Sequence, residues 1–108
     1  MRIYGLKNCD TCRKAMKTIS NQGVDAAFVD VRADGVSPAD LARFHAEFGE
    51  DLVNRRSTTW RGLSEEERLE DPIKLLSDHP ALMKRPVIET GGRLFLGWGK
   101  DVQAAVLG

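Results

Sequence analysis

The chain has 108 residues, enough for one domain and too few for two. Hydrophobic residues make up 42% and charged residues 30%, the balance of a soluble globular domain. Sixteen Lys and Arg are cancelled by sixteen Asp and Glu. A neutral chain has no global field to draw it onto nucleic acid or an anionic membrane, so neither is an expected partner. No apolar run approaches the roughly 20 residues that span a bilayer. The N-terminal Met1-Arg2-Ile3-Tyr4-Gly5-Leu6 is too short in its apolar part for a signal peptide. The expected compartment is therefore the cytoplasm, where thiols are held reduced.

Arg2 to Gly5 predicts a short buried strand, followed by a loop from Leu6 to Asp10. A helix starts near Asp10 or Thr11, either of which can cap its open N–H groups. Cys12, Ala15, Met16 and Ile19 recur at the spacing of one helix face, and Gly23 stops that helix. Val24 to Val31 predicts a second strand. Strand, helix and strand within about 30 residues form a βαβ unit with parallel strands. Ser37-Pro38 is a helix start, a capping hydroxyl followed by proline at the first helical position. Leu41, Phe44 and Phe48 form that helix's apolar face, and Gly49 ends it.

Val53 to Leu63 reads as irregular. Ser64 to Glu67 has the pattern of a capping box. Pro72 breaks or restarts that helix, Ile73, Leu75 and Leu76 pack the next one, and Pro80 limits it. Val87 to Thr90 and Arg93 to Leu96, joined by Gly91-Gly92, predict a β-hairpin. Asp101 to Leu107 predicts a last short helix with Val102, Ala105 and Val106 on one side. The order, β-α-β, then helices over about residues 37–80, then β-β-α, is that of an α/β thioredoxin-like domain. It has a mixed four-stranded sheet and a helical insert between its halves.

Cys9-Asp10-Thr11-Cys12 falls at the junction of the first strand and first helix. The first turn of a helix exposes unpaired N–H groups and the positive end of the dipole, and both favour a thiolate. The Cys9 pKa is therefore expected below the free value of about 8.5. Lys7, Arg13 and Lys14 strengthen the effect and Asp10 opposes it. Cys9 is assigned as the attacking thiol and Cys12, one turn later, as the thiol that resolves a mixed disulfide. Competing readings make Cys12 a buried core residue, or the pair half of a zinc site. The second needs further ligands, and the chain has no other cysteines, while His45 and His79 are isolated on separate helices. No metal site is expected.

Lys84-Arg85-Pro86-Val87 is the second element. In thioredoxin-like folds a cis-proline precedes the third strand and packs beside the reactive cysteine, which would bring Arg85 next to Cys9. Its guanidinium would then pair with the thiolate and with a substrate oxyanion or carboxylate. Asn8 is a candidate donor to the thiolate or a bound anion, or else a turn residue. Arg56, with Arg55 and Arg61 around Trp60, offers a wall for a carboxylate or oxyanion, or else a solvated basic loop. Trp98 reads as a core residue.

The segments Ile3-Tyr4-Gly5-Leu6-Lys7-Asn8-Cys9-Asp10-Thr11-Cys12-Arg13-Lys14-Ala15, Arg56-Ser57-Thr58-Thr59-Trp60, His79 to Pro86 and Leu96-Gly97-Trp98 resemble the ArsC/Spx/YffB family of arsenate-reductase-like proteins. The resemblance covers nearly the whole chain, and the YffB-like branch matches best. It implies a thioredoxin fold with a helical insert and a catalytic cysteine in the first loop. In the family's arsenate reductases, the cysteine attacks arsenate, arginines hold the oxyanion, and glutathione and glutaredoxin reduce the product. Carried over, Cys9 matches the nucleophile, Arg85 the arginine before the proline, and Arg56 (or Arg55) the neighbourhood of a second arginine. The third arginine's position holds Leu96. Losing one charge-assisted pair costs about 1.5–3 kcal/mol, which weakens any grip on a multiply charged oxyanion. Cys12 is absent from the plain arsenate-reductase pattern and points to a dithiol reductase or a redox switch.

The resemblance thus implies a glutathione-dependent thiol reductase without a bound cofactor, acting as a monomer. Arg85, Arg56, Asn8 and Pro86 would surround the substrate, and glutaredoxin is a further partner. The alternatives are an arsenate reductase with an incomplete arginine set, and a Spx-like regulator that binds RNA polymerase and uses the cysteine pair as a sensor.

Overall fold

The computed structural model describes residues 1–107; Gly108, the last residue of the expected domain, lies outside the described residues. Its contacts group into two compact units, Met1–Val31 with the chain from Arg85 onward, and Arg32–Lys84. The helical insert expected over about residues 37–80 falls inside the second unit.

The first unit is built on four strands, β1 (Arg2–Gly5), β2 (Ala27–Asp30), β3 (Val87–Thr90) and β4 (Arg93–Leu96), in the order β2-β1-β3-β4. β1 and β2 are parallel, while β1–β3 and β3–β4 are antiparallel. With helices α1 (Asp10–Asn21) and α6 (Lys100–Leu107), this is the thioredoxin-like order read from the sequence. Register puts Phe28, Ile3, Ile88 and Phe95 side by side across all four strands. Because successive strand residues point to opposite faces, one continuous apolar row results. Ile19 of α1 joins Ile3 and Ile88, none of them exposed, and Met16, Trp98, Val102 and Val106 pack against this centre. The expected core roles of Trp98, Val102 and Val106 are therefore met, whereas Ala105, expected on the same side of α6, is exposed.

The strand expected over Val24 to Val31 is shorter than its apolar pattern suggests. Gly23 adopts φ +76 after the last turn of α1, Val24 is exposed, and pairing begins only at Ala27. An apolar run sets burial, but a strand needs a partner, and β1 is just four residues long. The hairpin turn Gly91-Gly92 has positive φ at both glycines (58 and 76), as a tight two-residue β-turn requires.

The second unit holds α2 (Pro38–Phe48), α3 (Thr58–Arg61), α4 (Glu65–Arg68) and α5 (Pro72–Asp78). Ser37 Oγ accepts from the Asp40 N–H at 3.1 Å, and Ser64 and Glu67 close both bonds of the capping box at 3.1 Å. α3 is a correction, since its segment reads as irregular. Ser57 Oγ caps it by accepting from the Trp60 N–H, and Arg68 secures its end by donating to the Trp60 and Arg61 carbonyls. Arg68 lies eight residues from Trp60, outside any local pattern. Leu41, Phe44, Leu52, Leu75, Leu76, Leu82 and Met83 form this unit's buried interior. No helix of the described residues is long and apolar enough to cross a membrane.

Ile19 is the residue by which α1 is fixed to the sheet. Ile19→Ala is expected to lower unfolding free energy by about 2–5 kcal/mol. Urea titration should show a lower midpoint with an unchanged slope; an unchanged midpoint would deny the helix that anchor.

Candidate active site

Leu6 to Cys9 form a turn, closed by the Cys9 N–H donating to the Leu6 carbonyl at 3.1 Å. The chain then enters α1 with Cys9 itself at the N-cap, not Asp10 or Thr11 as the sequence suggests. The Cys9 carbonyl accepts from Arg13 N–H at 3.0 Å, so the cysteine is locked to the first helical turn. No side-chain cap hydrogen bond is formed there. The Cys12 amide nonetheless acts on the Cys9 sulfur.

That position controls the ionisation of Cys9. Half-burial alone pushes the thiol up, but the Cys12 amide, the Cys12 thiol and the Arg85 guanidinium all favour the thiolate and outweigh it. The net effect is a lowered Cys9 pKa. The direction matches the sequence expectation, while the cause is partly different. The cation that acts on the sulfur is Arg85, brought from the other end of the chain, rather than Lys7, Arg13 or Lys14. Arg13 is directed to Asp10 in an exposed pair at 3.8 Å.

Cys12 behaves oppositely. Its side chain is on the buried face of α1, with 1% exposure, and burial pushes its thiol up to about 11. The charge on Cys9 adds to the rise, while the Leu6 amide and Arg85 oppose it. Two chemically identical side chains three residues apart are thus separated into an ionisable thiol facing solvent and a protonated thiol facing the interior. Neither cysteine is in a disulfide.

Gly5 is the site residue that the sequence reading misses, taken there only as the end of a strand. Its backbone does not need glycine's conformational freedom, because its φ is not positive. What it needs is space. A Cβ at Gly5 would lie 2.5 Å from Cys12 Sγ and 3.3 Å from Cys12 Cβ. The missing side chain on β1 is the room that the Cys12 sulfur occupies. A glycine seven residues before a cysteine carries no local signal, and only the crossing of β1 and α1 reveals it.

The remaining candidates are placed as follows. Arg85 is half-buried, the Arg85–Pro86 bond is cis as expected, and Pro86 is fully buried. Asn8 is exposed in the turn before Cys9. Leu96 is part of β4, opposite Val87. Arg56 belongs to the second unit, where it is exposed and its N–H donates to Asn54 Oδ1 at 3.1 Å. In that unit Trp60 is flanked by two guanidinium groups, Arg55 at 5.5 Å and Arg68 at 5.6 Å from the ring. His79 contacts Glu67 at 3.7 Å.

The opposed thiols should be visible to an alkylating agent. Cys9 is expected to react with an inflection below the free-thiol range, and Arg85→Gln should move that inflection to higher pH. In folded Cys9→Ser protein Cys12 should still react only above the free-thiol range, because burial, the largest cause of its raised pKa, remains. An inflection unmoved in Arg85→Gln would remove Arg85 from the site. Gly5→Ala, which crowds the Cys12 sulfur, should cost about 1–3 kcal/mol of stability. Adding Cys12→Ala should recover most of that loss, and a double variant as unstable as the single one would place the clash elsewhere.

The chain matches the model of the ArsC family over residues 4–106. It is 38% identical over 109 residues to an uncharacterised protein of Haemophilus influenzae, covering 95% of this chain and 96% of that one. The global transcriptional regulator Spx 2 of Bacillus anthracis is 25% identical over 105 residues, covering 92% of this chain and 80% of the regulator. Among solved structures, a YffB protein superposes with a TM-score of 0.91 at 37% identity, covering 99% of this chain and 98% of the other. A thioredoxin-like sheet, a cysteine capping its first helix and a match over nearly the full length agree: this chain belongs to the ArsC family.

Proposed function

We propose that the protein is a thiol–disulfide reductase that uses glutathione, with Cys9 as nucleophile and Cys12 as resolving thiol. The observation that carries this reading is the opposed ionisation of the two sulfurs, one lowered beside Arg85 and one raised in the interior. Membership of a family related to arsenate reductases supports oxidoreductase chemistry in general. The second cysteine favours disulfide exchange in particular.

In the proposed cycle the Cys9 thiolate attacks a glutathione mixed disulfide. A bond forms between Cys9 and the glutathione sulfur, the substrate disulfide breaks, and the other half leaves as a thiolate that takes a proton from solvent. Cys9 has then lost its negative charge, so that charge no longer holds the Cys12 proton in place. Cys12 gives up its proton and attacks Cys9, forming the Cys9–Cys12 disulfide and releasing glutathione. Two further glutathione molecules reduce the protein and leave as glutathione disulfide. Before attack Arg85 stabilises the thiolate, and in the complex its guanidinium orients a substrate carboxylate. Electrostatics favours this order, because consuming the Cys9 charge removes one of the contributions that keep Cys12 protonated, while burial, the largest of them, persists.

Turnover of a glutathione mixed disulfide, coupled to glutathione reductase, tests the reading. Wild-type protein should turn over, and Cys9→Ser should fall to background. Cys12→Ala should accumulate glutathione on Cys9, seen by intact mass. Wild-type activity no higher than that of Cys9→Ser would sink the proposal. Efficient arsenate reduction without disulfide turnover would favour an oxyanion reductase. RNA polymerase retained by Cys9→Ser protein, with no turnover by wild type, would favour a regulator.

A further inference from the structure

Beside the Cys12 sulfur is a cavity of about 250 Å³, lined by Leu6, Lys7, Cys12, Arg13, Met16 and Phe28. All six residues come from the turn that carries Cys9, from α1 and from β2, so one unit of the fold builds the whole of it. Leu6, Met16 and Phe28 give the walls an apolar character, and Met16 adds a flexible thioether able to follow an irregular ligand. Met16 and Phe28 are only partly buried, so their apolar surface is available to a ligand.

The charged lining is of one sign. Lys7 and Arg13 are exposed cations, and no acidic side chain lines the cavity. Asp10 contacts Arg13 at 3.8 Å, but both are largely exposed, and such a pair is too weak to neutralise the guanidinium. A cavity with greasy walls and cations selects a ligand that is apolar along its length and negative at its end. Glutathione, a charged peptide, does not match those walls; the other half of a mixed disulfide can.

We propose that this cavity is a substrate subsite for an alkyl chain of several carbons ending in a carboxylate, carried by the half of the disulfide that is not glutathione. The volume, equal to about eight water molecules' share of the liquid, accommodates such a chain. This inference rests on the thiol–disulfide reading. The Cys9 thiolate bonds to the glutathione sulfur and the disulfide breaks. The alkyl thiolate departs from the cavity, taking a proton from solvent. Lys7 and Arg13 hold its carboxylate, while the missing side chain at Gly5 keeps the Cys12 sulfur drawn back against β1.

Binding and turnover test it separately. Hexanoate titrated into Cys9→Ser protein should shift the Met16 methyl and Phe28 ring resonances and saturate, whereas acetate and hexanol should bind at least about tenfold more weakly. In the wild type, the mixed disulfide of glutathione with mercaptohexanoate should exceed that with mercaptoethanol by roughly tenfold in kcat/KM. Met16→Lys should erase that preference, with folding checked by circular dichroism. Equal turnover of the two disulfides, without saturable hexanoate binding, would overturn the subsite and leave the reductase reading standing. Hexanoate binding without turnover of either disulfide would support the cavity's selectivity while removing the reductase reading beneath it. No hexanoate binding and no turnover would overturn both.

Discussion

Everything distinctive about this protein follows from a cysteine, where a hydroxyl residue would usually stand, at the N-cap of α1. Helix N-termini hold unpaired amides and a partial positive charge, and a side chain there is stabilised when it is negative. Serine serves this purpose at Ser37, Ser57 and Ser64 in the second unit, where the result is helix stability. At Cys9 the same position yields an ionisable nucleophile, because a thiol can lose its proton near neutral pH and a hydroxyl cannot. One structural device, with one atom changed, gives chemistry in place of stability.

The rest of the first unit keeps that sulfur where it is. The apolar row across β2, β1, β3 and β4 fixes α1 through Ile19. β3 begins two residues after Arg85, so the strand that closes the sheet also delivers the cation. Interior packing is dense and resists displacement, which is why a charge held by such a frame stays within reach of the thiolate. Gly5 shows the same economy in negative form. The frame leaves one side chain out, and the resolving thiol fills the gap.

Burial then differentiates the two cysteines. Cys12 belongs to the apolar face that packs α1, so low polarity suppresses its ionisation, and the neighbouring Cys9 charge suppresses it further. The core-residue reading and the resolving-thiol reading of Cys12 are therefore compatible. Burial keeps this interior thiol protonated, the Cys9 charge adds to that, and disulfide formation on Cys9 removes the second contribution. Packing and redox chemistry are served by the same atom.

The linear sequence by itself determined the element order, most helix starts and the position of the reactive cysteine. Those features are set by local rules: hydroxyl caps at Ser37 and Ser64, helical spacing from Cys12 to Ile19, paired glycines at 91 and 92, and the strand–helix placement of Cys9. Local signals failed where partners lie far along the chain. The start of β2 at Ala27 depends on where β1 can pair, and α3 relies on Arg68 eight residues from Trp60. The resemblance of short motifs anticipated Arg85 beside Cys9, but its effect on the thiol depends on a contact that joins the two ends of the chain. The need for glycine at position 5 and the cavity beside Cys12 were decided only by tertiary structure, since the first arises where β1 meets α1 and the second where the Cys9 turn, α1 and β2 meet. Residue type sets what a side chain can do; distance between segments remote in sequence sets whether it does it.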